Sequence, residues 1–595
     1  MTFTTRPELS GTFGMAASTH WLASSVGMKM LEDGGNAFDA AVAMGFVLNV
    51  VEPHLNGPLG DMPALIWPAG AAAPSVICGQ GVAPAAATIA HYRGEGLDMI
   101  PGSGPLATVV PGAFDAWMVM LRDHGTLTLE TVLAPAIHYA RAGHPLLARA
   151  AAVIADMAPF FHAEWPSSAR VWLPGGVPPR AGGLFRNPDL ADCWSRLLAE
   201  TALAPNREAG IEAARNAFHQ GFVAQAIDAF QRKPAADASG QRHAGVLTGD
   251  DMARWRASTE PAVAVDHHGH RVWTCGFWGQ GPALLQALQI LAPSDIAAMD
   301  PCGPDFVHTV TETLKLALAD RDAFYGDPDF SAIPDRHLLS ATYGRARAAL
   351  IGQTASDRLR PGDIDGFSAL ARAAVARAQR PAPARQGPAT GEPTMAHLAD
   401  RRGDTVHIDV ADRWGNMVSA TPSGGWLQSS PVVPHLGAPL NSRAQMFWLD
   451  DGLPASLAPG RRPRTTLTPA MARRDDGTRL AFGTPGGDQQ VQWMLVFLLR
   501  HLGHGQNLQA AIDAPLFHTA HLQASFFPRG FEPAHLMAEP GLGAETLDAL
   551  RARGHRLDMA QPWSLGRLTA VSHRPDGLLK GAATPRMMQA YAVGR

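Results

Sequence analysis

Thr405 and Ser423 are the two residues whose types and spacing most clearly predict chemistry. They lie at the ends of the stretch TVHIDVADRWGNMVSATPS, in which apolar and polar residues alternate as they do in a strand with one packed face. The turn Arg413-Trp414-Gly415 fits the three-residue hairpin loop that ends on a left-handed residue, so Asp412 pairs with Asn416. Counting back along both strands places Thr405 opposite Ser423, with Cβ atoms about 4.5 to 5.5 Å apart.

Thr405 is a candidate nucleophile, but a threonine hydroxyl attacks a carbonyl carbon only when a base stands beside it. Cleavage of the bond between Asp404 and Thr405 would create an α-amino group on Thr405, with a reference pKa of about 7.7 to 8. Thr405 would then supply both the nucleophile and the base for acyl transfer. Without that cleavage, the same pattern describes an ordinary surface hairpin that follows a linker between domains.

The stretch Thr484-Pro485-Gly486-Gly487 is a candidate oxyanion-binding turn, because it lies between a predicted strand and an apolar predicted helix. Backbone N–H groups at the start of a helix have no acceptor within the helix, and glycine lets a reacting carbonyl approach them closely. A plain helix-entry turn or a phosphate-binding nest would have the same sequence. We interpret Asp488 as a cap or dipole partner of the helix.

Helical patterns dominate the part of the chain that precedes these residues. From about residue 18 to 51 the periodicity predicts two packed helices joined at Gly34-Gly35, and later stretches such as TLETVLAPAIHYARAG and PDFVHTVTETLKLALADRDAFYG are amphipathic. Residues from about 354 to 403 include RPAPARQGPATGEP, which predicts an exposed, flexible linker. Strand patterns follow it, so stacked helical and sheet layers are expected.

The composition argues against several classes of function. A formal net charge of −4, with 46% apolar and 17% charged residues, describes a globular chain without a surplus of positive charge for nucleic acid. The four cysteines form no CxxC pair and no histidines have ligand spacing, so neither a metal nor another cofactor is expected. No signal peptide and no apolar run of about 20 residues is visible, which predicts a cytoplasmic protein that does not span a membrane.

Six stretches, in their order along the chain, resemble motifs of the gamma-glutamyltransferases, a family of self-cleaving N-terminal-nucleophile (Ntn) hydrolases. They are LEDGGNAFDAAVA, VVPGAFDAW, TVHIDVADRWGNMVSATPSGG, RRPRTTLTP, FGTPGGDQQ and AIDAPLFH. The resemblance covers nearly the whole chain of 595 residues. It implies an α/β fold, a four-layer αββα sandwich with antiparallel sheets flanked by helices, and an amide-cleaving enzyme that is made as one precursor.

The resemblance also implies roles for particular residues. Thr405 matches the catalytic nucleophile, and the bond from Asp404 to Thr405 matches the self-cleavage site. Ser423 matches a second hydroxyl that bonds to the nucleophile, in agreement with the register of the hairpin. Gly486 and Gly487 match the pair of residues that form the oxyanion hole.

The same resemblance predicts two associated subunits from one precursor. Residues 1–404 would form a large, helix-rich subunit that ends in the flexible linker, and residues 405–595 would form a small subunit that carries the nucleophile. The partners expected are a small-molecule amide substrate and a second αβ unit in a further dimer, with no nucleic acid and no membrane.

The predicted substrate pocket departs from the family pattern at the groups that hold an amino acid. Thr465 and Thr466 match the small hydroxyl residues that contact the α-carboxylate of γ-glutamyl substrates. The arginine that pairs with this carboxylate is missing, because the corresponding stretch is GSGPLATVVPG, with Gly104 or Pro105 at the position. A bidentate charge clamp for the carboxylate is therefore absent.

Two further anchors of the pocket also differ. The acidic residue that binds the α-ammonium group is matched by Gln445, and an asparagine near the end of the hairpin is replaced by Gly425. Arg443 is a candidate for holding a carboxylate from the other side of the pocket, and its alternative interpretation is an ordinary exposed arginine. We therefore expect a non-standard acyl amide as substrate, as in the acylase and amidase branches of the family.

Three alternative functions are compatible with the same motifs. A true gamma-glutamyltransferase or glutathione hydrolase would turn over γ-glutamyl amides. An inactive scaffold would keep the fold without turnover. A conventional serine amidase is disfavoured because the sequence contains no GxSxG or Ser–Lys motif.

Overall fold

A computed structural model describes residues 3–380 and 405–595. Its centre consists of two seven-stranded antiparallel sheets. In spatial order, sheet I contains the strands Leu9–Gly11, Leu579–Ala583, Thr569–His573, Arg479–Gly483, Ala470–Arg474, His270–Thr274 and Val263–His267. Sheet II contains the strands Tyr591–Gly594, Gly14–Ser18, Ile408–Asp412, Met417–Ala420, Met62–Trp67, Ser75–Gly79 and Ser258–Pro261.

The predicted hairpin forms the middle of sheet II. Its two strands place Asp409 opposite Ser419, which is the register expected from the turn. The Asp412 N–H donates to the Asn416 carbonyl at 3.1 Å, and Gly415 ends the turn with a φ of 91°. Glycine suits this position because other residues adopt such a φ only with strain.

The two sheets pack face to face around a shared apolar layer. Side chains from both sheets are buried there, and Trp67 of sheet II lies against Trp273 of sheet I with ring centroids 5.0 Å apart. Alternate residues of each strand face this layer, so the inner faces of both sheets are removed from water.

Helices cover the outer face of each sheet, so the order of layers confirms the predicted αββα sandwich. The two helices joined at Gly34-Gly35 are confirmed, and the second of them is buried along its whole length against the hairpin. Sheet II is covered by Trp21–Glu32, Ala37–Val51, Ala113–His124 and Leu129–Ala142. Sheet I is covered by Pro282–Leu291, Pro304–Phe324 and Gln490–Leu498.

Further helices and short strands surround this sandwich. The helices are Ile89–Gly94, Ala148–Ala163, Pro166–Trp172, Pro188–Ala199, Arg207–His219, Phe222–Gln231, Gly249–Arg254, Asp335–Leu338, Ala341–Ala348, Ser368–Ala378, Leu508–Asp513 and Ala544–Ala552. A small sheet is formed by Phe517–His518, His535–Ala538 and Arg556–Met559. None of the helices in the described ranges has both the length and the apolar character that crossing a bilayer requires.

The start of the segment predicted as a flexible linker is ordered. Within the predicted range of about 354 to 403, Ser368–Ala378 forms a helix that buries Ala371 and Ala374 against the helix Pro304–Phe324. The sequence SALARAAVARA repeats small apolar residues at helical spacing, and this local signal outweighs the loose composition around it. Residues 381–403 of the predicted linker, and Asp404 after them, lie outside the described residues.

Candidate active site

Thr405 and Ser423 meet at the open end of the hairpin, as the register predicts. They form an isolated antiparallel bridge, both side chains are buried, and their Oγ atoms lie 3.1 Å apart, within hydrogen-bond distance. Ser423 also exchanges two backbone hydrogen bonds of 2.9 Å with Asp61, from the loop that leads into the strand Met62–Trp67. The candidate nucleophile is therefore fixed by two neighbouring chain segments.

Glycines let the chain segment before Asp61 lie close to the backbone of Ser423 and the residues that follow it. A Cβ atom on Gly60 would lie 2.0 Å from the Ser423 carbonyl oxygen, and one on Gly57 would lie 2.3 Å from the Gly425 carbonyl oxygen. Gly424 and Gly425 adopt φ values of 73° and 66°, which other residues reach only with strain. Gly425 is therefore explained by the backbone, and a side chain there would strain the turn beside the nucleophile.

Arg443 is buried and pairs with Asp61, so its interpretation as an exposed arginine is wrong. Its Nε atom lies 2.9 Å from each carboxylate oxygen of Asp61, and its Cζ atom lies 5.0 Å from the centre of the Trp426 ring. Burial raises the pKa of Asp61, and the positive charge of Arg443 opposes this effect. Within the described residues the Arg443 Nη1 and Nη2 atoms have no acceptor, so both can bind a ligand.

His407 lies on the same face as Thr405, but both of its ring nitrogens have partners elsewhere. Nδ1 lies 2.9 Å from the Thr421 hydroxyl, and Nε2 lies 3.0 Å from an Asp409 carboxylate oxygen. The other oxygen of Asp409 accepts a hydrogen bond from the Thr569 hydroxyl at 2.6 Å. His407 is therefore a hydrogen-bonded residue just before the strand Ile408–Asp412, and its partner Asp409 links sheet II to sheet I.

The glycine turn predicted to bind an oxyanion follows the strand Arg479–Gly483. Gly486 and Gly487 have φ values of 135° and 55° and are buried, and in the described part of the chain neither N–H donates a hydrogen bond. A Cβ atom on Gly486 would lie 2.3 Å from the Trp493 ring. Two adjacent buried N–H groups without an acceptor can bind a developing negative charge.

Gln280 joins this turn to the two threonines matched to substrate binding. Its side-chain amide donates to the carbonyl oxygens of Thr466 and Gly487 at 2.9 and 2.8 Å. Thr465 donates its N–H to the Trp278 carbonyl at 3.0 Å. The buried Thr466 hydroxyl has no hydrogen-bond partner among residues 3–380 and 405–595, so it is available to a ligand.

Gln445 binds protein groups at both ends of its side-chain amide. Nε2 donates to the Gly102 carbonyl at 3.2 Å and to the Ser442 hydroxyl at 3.0 Å, and Oε1 accepts from the Phe527 N–H at 3.1 Å. Near Gly102, Gly104 has a φ of 89°, and a Cβ atom there would lie 2.5 Å from Asp237. The backbone thus excludes a larger side chain at Gly104, so the charge clamp is missing here.

Arg567 is a residue of this site that the sequence did not indicate. Its Nη2 atom donates to the main-chain carbonyl of Thr405 at 3.3 Å, and its N–H donates to the Thr484 hydroxyl at 2.9 Å. Burial raises the pKa of Glu52 to about 7, and the nearby Arg567 charge opposes that rise. Glu52 also accepts a hydrogen bond from Thr19. No local pattern identifies Arg567, because only the pairing of distant strands brings it to Thr405.

Asp488 makes no capping hydrogen bond to the helix, so the first of its two predicted roles, cap or dipole partner, is wrong, while it does lie in the first turn. Its carboxylate pairs with Arg321 at 2.5 Å and accepts hydrogen bonds from the Ser525 hydroxyl and N–H at 2.5 and 2.9 Å. It therefore fixes the loop around Ser525 to the start of the helix. Arg321 reaches it from the last turn of the helix Pro304–Phe324, a partner that the local sequence around Asp488 does not reveal.

One group of side chains in the described residues has distances compatible with a metal ion. Ligand atoms of His308, Glu312 and His555 lie within 4.8 Å of one another. The two histidine nitrogens already lie 2.9 Å apart, and Glu312 pairs with Lys315 and Arg360. These residues share no contact with Thr405 or Ser423, so the group is separate from the candidate active site.

The fold and the site together define a class of enzyme. A buried hydroxyl nucleophile candidate just before a central strand, in two stacked antiparallel sheets between helices, is the arrangement of the Ntn hydrolases. The gamma-glutamyltranspeptidase family model matches residues 23–594, and the chain belongs to this family. It is an enzyme of the amidohydrolase and acyltransferase type.

Three relatives are similar to this chain over all or nearly all of its length. The solved structure of LmbA2991T421A is 51% identical, with a TM-score of 0.93 and 100% of each chain covered. Cephalosporin acylase from Bacillus halodurans is 27% identical, with a TM-score of 0.82, and the match covers 100% of this chain and 97% of the acylase. The oxamate amidohydrolase proenzyme of Klebsiella pneumoniae is 30% identical, over 98% of each chain.

Proposed function

We propose that Thr405 is the nucleophile of an acylase-like or amidase-like hydrolase, and that the precursor cleaves itself between Asp404 and Thr405. The observation that carries this proposal is the buried contact of the Thr405 and Ser423 hydroxyls just before the central strand Ile408–Asp412. The adjacent N–H groups of Gly486 and Gly487, which have no acceptor in the described residues, support it.

The proposed reaction has two acyl-transfer stages. The Thr405 Oγ attacks the amide carbonyl while the α-amine of Thr405 takes the hydroxyl proton, and the Gly486 and Gly487 N–H groups hold the oxyanion. The amide C–N bond then breaks, and the leaving amine receives the proton. Water attacks the resulting ester, gives its proton to the same α-amine and releases the acyl group as an acid.

For self-cleavage, we propose that the same hydroxyl attacks the carbonyl of Asp404. The peptide C–N bond breaks as the ester forms, so the Thr405 nitrogen becomes a free amine that takes up the hydroxyl proton. Water then hydrolyses the ester, which restores the Thr405 hydroxyl and leaves Asp404 with a terminal carboxyl group. Ser423, 3.1 Å from the attacking oxygen, is positioned to hydrogen-bond to it in both reactions.

The substrate that the pocket supports best is an acyl amide without the amino-acid end of a γ-glutamyl group. Gly104 leaves no room for a charge clamp, and the Gln445 amide is occupied by protein groups. The names of the cephalosporin acylase and oxamate amidohydrolase relatives agree with such a substrate. Arg443, with two unused nitrogens, and the Thr466 hydroxyl are the groups proposed to bind a polar end of the acyl group.

The two proposed products of cleavage, residues 1–404 and 405–595, would remain together. In sheet II the strands Ile408–Asp412 and Met417–Ala420 lie between Gly14–Ser18 and Met62–Trp67, so strands of one product are inserted into the sheet of the other. Separation would expose the edges of both strands and the apolar layer between the sheets. A further dimer of such units and a cytoplasmic location stay predictions.

Processing is the first test of the proposal. The wild-type chain should give two bands on a denaturing gel, with a fragment that begins TVHID, and Thr405→Ala should give one full-length band. Complete processing of Thr405→Ala would refute the assignment of the nucleophile. Ser423→Ala is the matched control, since it keeps the nucleophile and should process more slowly.

Substrate assays separate the proposed activity from its alternatives. Hydrolysis of simple acyl anilides without hydrolysis of γ-glutamyl anilide is expected. Ready turnover of γ-glutamyl anilide would instead identify a true gamma-glutamyltransferase. A processed protein that is never labelled at Thr405 by acylating reagents would be an inactive scaffold.

A further inference from the structure

Three buried arginines lie near one another, and two of them contact the half-buried Trp448. Arg377, Arg464 and Arg529 expose only 4%, 5% and 3% of their surface. The guanidinium carbons of Arg377 and Arg529 lie 5.2 and 3.9 Å from the centre of the Trp448 ring. Arginine is rarely buried so completely unless a carboxylate is paired with it.

None of these three arginines forms an ion pair within the described residues. Arg377 donates to the Asp322 carbonyl at 3.0 Å, Arg464 donates to the Ser525 hydroxyl at 3.0 Å, and Arg529 donates to two main-chain carbonyls. Five buried guanidinium nitrogens have no acceptor in that part of the chain. They are Nε and Nη1 of Arg377, Nη1 of Arg464, and Nε and Nη1 of Arg529.

The carboxylates nearby are already paired with other arginines. Asp322 and Asp488 pair with Arg321 at 2.8 and 2.5 Å, and Asp450 pairs with Arg380 at 2.7 Å. The neighbourhood therefore keeps an excess of two positive charges. Buried charge without a counterion is costly.

The arginines also destabilise one another's charged forms. Burial, together with repulsion from Arg464 and Arg377, lowers the pKa of Arg529 to about 9. Burial lowers the pKa of Arg464 and of Arg377 to about 10. All three nevertheless stay protonated at neutral pH, so a counterion is needed.

We propose that Arg377, Arg464 and Arg529 form a binding site for a compact oxyanion that carries two negative charges, such as phosphate or a dicarboxylate. Guanidinium groups suit this ligand because their N–H groups match the oxygens of phosphate and carboxylate in pairs. Five unused nitrogens are enough to engage several oxygens of one anion. The flat face of Trp448 holds two of the arginines in place.

The site borders the proposed substrate pocket. Arg464 precedes Thr465 in the chain, and Arg529 donates to the main-chain carbonyl of Gln445. The anion therefore has two sources with the same chemistry: a free oxyanion, or the charged far end of the amide substrate. The second source rests on the proposed function, whereas binding of a free anion does not.

Calorimetric titration of the processed protein with inorganic phosphate tests the site. Wild type should bind phosphate, and Arg464→Met, which keeps the apolar stem and removes the charge, should bind it about tenfold to a hundredfold more weakly. Arg141→Gln is the matched control, because Arg141 is 52% exposed, pairs with Asp192 and lies on the helix Leu129–Ala142, and it should bind like wild type. Absence of phosphate binding by wild type, or equal binding by Arg464→Met, would overturn the proposal.

Thermal unfolding gives a second measurement that a purely structural role would not reproduce. Without phosphate, Arg464→Met should unfold at the same or a higher temperature than wild type, since it removes an uncompensated buried charge. With saturating phosphate the order should reverse, because only wild type gains from the ligand. Arg377→Met should behave in the same way, and destabilisation of both variants with no response of wild type to phosphate would contradict the site.

Turnover separates the two sources of the anion. If the substrate carries it, wild type should prefer N-(3-phosphonopropionyl) p-nitroanilide over N-butyryl p-nitroanilide through KM, and Arg464→Met should lose that preference. If the anion is free, Arg464→Met should lose phosphate binding without changing either KM. Thr405→Ala should bind phosphate like wild type even if the proposed hydrolase activity fails, so the two proposals fail independently.

Discussion

Replacement of Arg567 by glutamine should change the pH dependence of the enzyme. After cleavage the proposed base is the α-amine of Thr405, which works only when it is unprotonated. The Arg567 guanidinium donates to the carbonyl of the same residue at 3.3 Å. A fixed positive charge at that distance disfavours the ammonium form and lowers the amine pKa.

The size of this effect follows from the geometry. The Thr405 nitrogen is about 3 Å from its own carbonyl oxygen, so the two charges are about 6 Å apart. At an effective dielectric constant of about 20, that separation corresponds to about 2.8 kcal/mol, or about 2 pKa units. Water that enters the pocket after cleavage would reduce this shift of the amine pKa to about 1 unit. Glu52, whose burial raises its pKa to about 7, opposes Arg567 once it ionises.

The assay is the rate of Thr405 acylation by p-nitrophenyl acetate between pH 5 and 10. In wild type the rate should rise as the amine loses its proton, and in Arg567→Gln this rise should move about 1 to 2 units towards higher pH. Arg567→Lys keeps the charge and should restore the wild-type midpoint. A loss of rate that is equal at every pH in Arg567→Gln would refute the electrostatic role of Arg567.

Three further predictions concern the surroundings of the nucleophile. Gly486→Ala should lower turnover about 10²-fold to 10³-fold, because its methyl group would lie 2.3 Å from the Trp493 ring and displace the turn. The measurement is kcat of the folded, processed variant. Asp61→Asn should destabilise the protein by about 3 to 5 kcal/mol, since it leaves Arg443 buried without its carboxylate. In thermal unfolding, the double variant with Arg443→Met should recover part of this loss of stability. Burial raises the pKa of Glu52 from 4.5 to about 7, so its contribution to stability is present below pH 4.5 and is lost as the pH rises to about 7. The melting temperature of wild type should therefore fall between pH 4.5 and 7, and Glu52→Gln should make the melting temperature depend less on pH in this interval.

Each of these three predictions has an outcome that contradicts it. Normal turnover of Gly486→Ala would mean that this N–H does not bind the oxyanion. Equal melting temperatures of Asp61→Asn and wild type would mean that the pair with Arg443 is dispensable. A pH slope that is unchanged in Glu52→Gln would assign the titration to another group.

The sequence alone determined the features that depend on neighbouring residues. Alternation of apolar residues and the glycine in the turn predicted the hairpin, its register and the meeting of Thr405 with Ser423, which the structure confirms. The resemblance of six short motifs, in their order, to those of a known family implied the αββα sandwich. The hairpin and its register were predictable because strand pairing across a tight turn is a local property of the chain.

Tertiary structure decided the features that depend on distant partners. The pair of Arg443 with Asp61, the contact of Arg567 with Thr405 and the arginine cluster around Trp448 join segments that are far apart in the sequence. The sequence left Arg443 undecided between a ligand-binding role and an exposed position, and it gave no signal for Arg567. A side chain's charge is visible in the sequence, but its burial and its partner depend on which strands and helices pack together. That packing therefore determines the free-energy cost of burying the charge.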